Sequence, residues 1–295
     1  MTLSTLPTLP TPATPPRGKR LHLPTLIGGL TLVSAVILLL FYGPITQPAA
    51  YHHFINSREW IGIPNAADVL SNASFIIAGG LGLWRTAATA LDLRAMSIAG
   101  GLAPALAGTP CGLALPATPV DLLCIAVFFT GVLLTGPGSA WYHLNPNNYT
   151  LLWDRLPMAI AFAGLVAAIV PDRVRIRSIT AIATLAGLVL LGILSVLWWY
   201  FGELASPGQG DLRLYIVVQY GALLSAMALA FTPGRLYGRS LLALACGLYI
   251  LAKVFESADA QIFHATGQFT SGHTLKHIAA ACGAGVIIAA LRPRR

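Results

Sequence analysis

Residues 178–200, SITAIATLAGLVLLGILSVLWWY, run for 23 positions without one charged side chain. As a helix rising about 1.5 Å per residue, the stretch reaches about 35 Å. That exceeds the roughly 30 Å hydrocarbon core of a bilayer. Backbone N–H and C=O groups inside lipid must find partners within their own segment, so an apolar run of this length is helical. Similar runs occupy 24–44, 66–84, 119–141, 155–171, 212–232, 239–263 and 273–291, which makes eight predicted spans. The whole chain follows suit: 56% of its 295 residues are hydrophobic, 9% are charged, and its mean hydropathy is +0.73. A soluble domain carries about 25% charged residues. The sequence therefore predicts an all-α integral membrane protein.

The net charge of +8 is read as membrane topology, not as a nucleic-acid footprint, because Lys and Arg accumulate in cytoplasmic loops. With eight spans, one side carries Arg17, Lys19, Arg20, Arg85, Arg94, Arg173, Arg175, Arg177, Arg235, Arg239, Arg292, Arg294 and Arg295. The other side carries Arg58, Arg155 and Arg213, a split of 13 to 3. Segment 87–118 is apolar but broken by Gly and Pro, and it reads as a loop, a re-entrant piece or a ninth span. Letting 95–115 cross would reduce the split to 9 to 7, so eight spans with both termini cytoplasmic are expected. Residues 1–23 begin with a Thr/Pro-rich tract and then carry Arg17, Lys19 and Arg20, as in a disordered cytoplasmic N-terminus. Residues 24–46 follow as an extra transmembrane helix or retained signal anchor, the apolar run being longer than that of a cleaved signal peptide. Cys111, Cys124, Cys246 and Cys282 show no pairing, and three of them fall in apolar spans, so no disulfide framework is expected.

Ionisable side chains inside lipid are costly, and each one marks a candidate functional position. On the eight-span topology they gather on one side. Asn65 and Asp68 open the second span; Ser139 and His143 close the third; Asp154 opens the fourth. Lys253, Glu256 and Asp259 lie in the outer half of the seventh, and His273, Lys276 and His277 open the eighth. His273 and His277 are four apart and project from one helical face, where two imidazoles can share a metal ion. His143 lies at the same depth on another helix, with Ser139 one turn before it. Three histidines leave a fourth position open, as in catalytic zinc sites. Asp154 can orient a histidine or handle a proton. Lys253 and Glu256 read as an internal ion pair joined by Lys276. His52, His53 and His264 read as residues at headgroup level, and Trp198, Trp199 and Tyr200 as an interfacial belt.

Three stretches, GSAWYH (138–143), WDRLPM (153–158) and GHTLKH (272–277), resemble in order and spacing the Ser-x-x-x-His, Asp-x-x-Pro-Met and His-x-x-x-His signatures of the alkaline ceramidases. That family shares a superfamily with adiponectin-type receptors and lipid-remodelling proteins. NAADVLSNASF (65–75) is similar to the opening of the family's first core helix. FINSREWIGIPNA (54–66) and LAKVFESADAQIF (251–263) resemble the bacterial, alkaline phytoceramidase-like branch. The resemblance covers about residues 50–292 and implies a seven-transmembrane-helix core bundle plus one extra N-terminal transmembrane helix. It further implies a bacterial inner-membrane setting, and the arginine split puts the site toward the periplasmic or outer face. His143, His273 and His277 would hold Zn²⁺, and Ser139 and Asp154 would be catalytic. The implied activity is hydrolysis of the linear amide of ceramide-like membrane lipids to a sphingoid base and a fatty acid. A Ser139 nucleophile is the alternative chemistry, but no independent histidine remains to activate it.

Eukaryotic alkaline ceramidases carry an acidic calcium-binding segment before the first core helix. Here Glu59 is the one carboxylate of FINSREWIGIPNA and Arg58 adjoins it, so calcium, which favours several carboxylates, is not expected. Asn56, Glu59, Asn65 and Asp68 are the oxygen donors nearest to such a site. Because a fold does not dictate function, two other readings stay open. One is a lipid-sensing receptor or membrane-regulatory protein with a structural zinc. The other is a zinc-free transporter using the acids of the seventh span.

Overall fold

The structure, a computed structural model, describes residues 37–39, 41–98, 117–174 and 176–291. The expectations for residues 1–23, for most of the first span and for Cys111 lie outside these residues.

Among the described residues, seven helices are long and apolar enough to cross a membrane, and the molecule is an all-α membrane bundle. After a single 3₁₀ turn at Ala49–His52, a short helix α1 (Ala66–Ser71) runs almost directly into α2 (Ala73–Ile98). Then come α3 (Pro119–Leu144), α4 (Asn148–Arg173), α5 (Ser178–Ala205), α6 (Arg213–Ala230) and α7 (Arg239–Ser257). A short α8 (Asp259–Ala265) precedes α9 (Gly272–Val286), which tightens into a 3₁₀ turn over Ile287–Leu291. Three boundaries differ from the sequence reading. The second span continues as helix to Ile98, well into the ambiguous segment. The fourth begins at Asn148 instead of 155, because Asn147 accepts hydrogen bonds from the Tyr149 and Thr150 N–H groups and starts the helix early. The seventh breaks at Ala258.

Lipid supplies no hydrophobic drive between helices, so their association depends on close packing and on small residues at the contacts. The most extensive contact joins α3 to α4. A Cβ on Gly131 of α3 would strike the Ala161 backbone, and one on Gly164 of α4 would strike the Phe128 backbone. Glycine at both positions lets the two helices touch main chain to main chain. α2 lies along α3, and α5 lies along α4. α9 packs against both α7 and α2, which closes a ring around a cavity of about 530 Å³. α2, α3, α4, α6, α7 and α9 line it. Most of its wall is apolar, from Phe128, Ala161, Leu223 and Leu242 among others.

Buried polar contacts pin the two ends of the bundle differently. Away from the histidines, Asp121 at the start of α3 pairs with Arg235 at 2.9 Å. Asp172 at the end of α4 accepts from the Arg235 and Leu236 N–H groups at 2.8 and 2.7 Å. Together they hold the α6–α7 loop, so this end carries structural charge. The end bearing the histidines carries the candidate chemistry.

Candidate metal centre

A helix start inside lipid exposes N–H groups that need acceptors. At the start of α9 two side chains supply them. Ser271 caps the helix by accepting from Thr274 N–H at 3.1 Å. Asp259 accepts from His273 N–H at 2.7 Å. Asp259 can do so because the chain breaks at Ala258 and sets it at the start of α8, facing α9, apart from Lys253 and Glu256 of α7 with which its spacing grouped it. Gly272 permits the approach: a Cβ there would meet the Phe255 carbonyl and the Asp259 Cα. Asp68 completes the brace, with its Oδ1 accepting from Thr274 Oγ1 at 2.6 Å and Ser271 Oγ at 3.4 Å.

On this base the three predicted histidines come together. Ring centroids are 4.8 Å apart for His143 and His273, 5.0 Å for His143 and His277, and 4.9 Å for His273 and His277. One ligand nitrogen from each lies within 4.8 Å of the others. All three rings are buried. His143 Nδ1 and His273 Nε2 have no hydrogen-bond partner, whereas buried polar atoms are ordinarily paired. Phe54 stands 4.5 Å from His143 and 5.5 Å from His273, and Phe75 stands 5.9 Å from His277, centroid to centroid. An apolar collar thus surrounds three convergent nitrogens. These residues fit a soft-to-borderline divalent metal such as zinc, which takes imidazole ligands and would satisfy the unpaired atoms.

Ser71 determines which nitrogen His277 offers. Its single hydroxyl proton goes to the Asp68 carbonyl at 2.9 Å. The Ser71 oxygen is then an acceptor for His277 Nδ1–H at 2.7 Å, which leaves Nε2 bare for a ligand. Partners of this kind orient metal-binding histidines and typically affect affinity 10–100-fold. Ser71→Ala is therefore expected to weaken zinc binding by about 10–100-fold with the fold intact, as measured by competition with a calibrated chelator. Sequence reading passed over Ser71. Its one signal is that it lies three residues after Asp68, within NAADVLSNASF (65–75).

Ser139 and Asp154 line the same cavity as His277, and the Ser139 hydroxyl stands beside the Asp154 carboxylate. Asp154 lies inside α4, beyond its first turn, and not at its start. Lys253 and Lys276 both end on Glu256, at 2.6 and 3.0 Å, which is the internal ion pair expected from their spacing. Of the other donors considered, Asn65 donates to the His143 carbonyl at 2.8 Å, and Asn56 Oδ1 accepts from Arg58 at 2.9 Å. Both brace the region around the triad.

Two assignments need correction. Trp199 is fully buried, beneath the Arg155 guanidinium at 4.2 Å, while its neighbour Trp198 is exposed. The belt reading failed at Trp199 because a one-residue step turns a helix by about 100°. His52 is likewise more than a headgroup-level residue. Its Nε2 lies 3.0 Å from Asn148 Oδ1 and its Nδ1 lies 3.0 Å from Tyr142 Oη. Burial holds its imidazole below the ordinary histidine range, so the neutral ring links the segment before α1 to α3 and α4.

No family model matches the sequence, and no curated protein matches it.

Proposed function

We propose that the protein is a zinc-dependent membrane hydrolase cleaving the amide bond of ceramide-like lipids to a sphingoid base and a fatty acid. The observation carrying this reading is the setting of the histidine triad: His277 faces an apolar cavity into which Ser139 and Asp154 also project. A structural metal site needs no such chamber, and its ligand set is ordinarily closed. His143, His273 and His277 would hold the ion. Zinc bound there supplies Lewis acidity toward a carbonyl and brings the pKa of a coordinated water down to about 7.

The chain's own groups divide the remaining work. The apolar walls take the hydrocarbon chains and exclude bulk water from the reacting bond. Asp154 accepts a proton from the attacking water and returns it to the leaving amine nitrogen as the C–N bond breaks. Ser139 donates a hydrogen bond to the carbonyl oxygen as charge develops on it. Lys253 and Lys276, tied to the single carboxylate of Glu256, leave the wall near Asp154 with a surplus of positive charge, which balances an ionised Asp154.

The arginine distribution orients the molecule in this proposal, with the termini in the cytoplasm and the triad toward the periplasmic or outer face. A reporter fused after Arg295 is expected to be active as a cytoplasmic enzyme and silent as an exported one, and the reverse result would invert the orientation. The function itself is tested by incubating the purified, zinc-loaded protein with acyl-labelled ceramides. Release of labelled fatty acid is expected. Tight zinc binding without cleavage of any amide lipid would favour a receptor or regulatory role.

A further inference from the structure

One cation in the cavity wall has no acid to answer it. Lys253 and Lys276 both pair with Glu256, yet among the described residues no carboxylate comes within 4.0 Å of the Arg155 guanidinium. Arg155 is only 5% exposed. One terminal nitrogen donates to Gln47 Oε1, and the other, Nη1, has no partner. The rings of Trp199, Tyr215 and Tyr51 surround the charge at 4.2, 5.2 and 5.7 Å from their centroids. Aromatic faces attract a cation, but they do not replace oxygen acceptors for the five N–H donors of a guanidinium. A buried charge lacking a counter-ion is unfavourable, and in a membrane interior such a residue marks a ligand path.

Arg155 lines the same cavity as Asp154, Ser139 and His277. It follows Asp154 on α4, and successive helical residues point about 100° apart, so the two side chains reach different walls. The cage around Arg155 comes from α5, α6 and the segment before residue 52, whereas the triad comes from α3 and α9. An anion at Arg155 is therefore separate from the carbonyl under attack.

We propose that Arg155 anchors a phosphate-type oxyanion on the headgroup of the lipid this cavity accepts, so that anionic lipids are preferred over neutral ones. The planar fork of a guanidinium matches such an oxyanion with two parallel hydrogen bonds. The inference rests on the reading of the cavity as the lipid site and narrows the substrate class. Its binding step does not require that hydrolysis occurs.

The test uses lipids with no amide to cleave, so it reports binding even if the hydrolase reading fails. Full-length zinc-loaded protein is offered hexadecyl phosphate, hexadecanol or hexadecanoate in detergent, and bound lipid is counted by native mass spectrometry. Hexadecyl phosphate is expected to outcompete hexadecanol by about tenfold or more. Arg155→Gln is expected to bring the two within about twofold, with hexadecanol uptake unchanged. His277→Ala, which disrupts the metal site, is expected to keep the phosphate preference, excluding zinc as the anion's holder. Arg155→Lys, which keeps the charge without the fork, is expected to retain part of the preference, and it serves if the Gln variant does not fold. Equal uptake of phosphate and alcohol by the wild type would overturn the proposal. So would a preference undiminished in Arg155→Gln or in Arg155→Lys. If Arg155 retains hexadecanoate but not hexadecyl phosphate, the headgroup assignment is wrong and the site belongs to the released fatty acid.

Discussion

His277→Ala is expected to leave the bundle assembled and to remove both bound zinc and lipid hydrolysis. The imidazole is one of three nitrogen donors and the one facing the cavity. Losing an outer partner of a ligand already costs about 10–100-fold in affinity, so losing the ligand itself is expected to exceed that range. The expected fold survival has a physical basis as well. α9 is held at its start by Ser271, Asp259 and Asp68, none of which depends on the His277 ring. Zinc stoichiometry by elemental analysis, with thermal unfolding in the same detergent, checks both halves. Retention of stoichiometric zinc in the variant would place the metal elsewhere.

Asp154→Asn is expected to separate binding from chemistry. The amide keeps the shape of the carboxylate but accepts no proton, and a positioned general base contributes about 10²–10⁴-fold to rate. Turnover is therefore expected to fall by about 10²–10⁴-fold at unchanged zinc content. Ser139→Ala, which removes a single donor to the developing oxyanion, belongs in the same comparison, since such donors are worth about 10²–10³-fold. An Asp154→Asn enzyme of wild-type rate would remove Asp154 from the reaction, whatever the fate of the metal.

The spans and the triad were legible in the sequence for one shared reason. Charge and imidazole are expensive in lipid, so where they occur against an apolar background they stand out. His143, His273 and His277 could be set at one depth before any coordinates, because the arginine distribution fixes which helix ends share a face. Residues whose burial carries little cost were not legible. Ser71 is a small hydroxyl in an apolar helix, and its grip on His277 depends on the approach of α1 to α9, which no local spacing reports. The break at Ala258 also escaped notice, and with it the turn that carries Asp259 to the His273 N–H. Arg155 was misread in the opposite sense. It entered as a surface charge in the topology count because the fourth span was started too late. With α4 beginning at Asn148, it lies two turns inside the helix, its guanidinium over the Trp199 and Tyr215 rings.

If the triad holds the reactive metal, hydrolysis depends on that metal. The measurement that tests it most directly is the rate of fatty-acid release from a labelled amide lipid, followed as metal-stripped, full-length protein is titrated with zinc. The rate is expected to rise linearly with occupancy and to level off at about one ion per chain, the number one triad can hold. A rate that is present before zinc is added and indifferent to it, or no release at full occupancy, would contradict hydrolysis by a triad-bound metal.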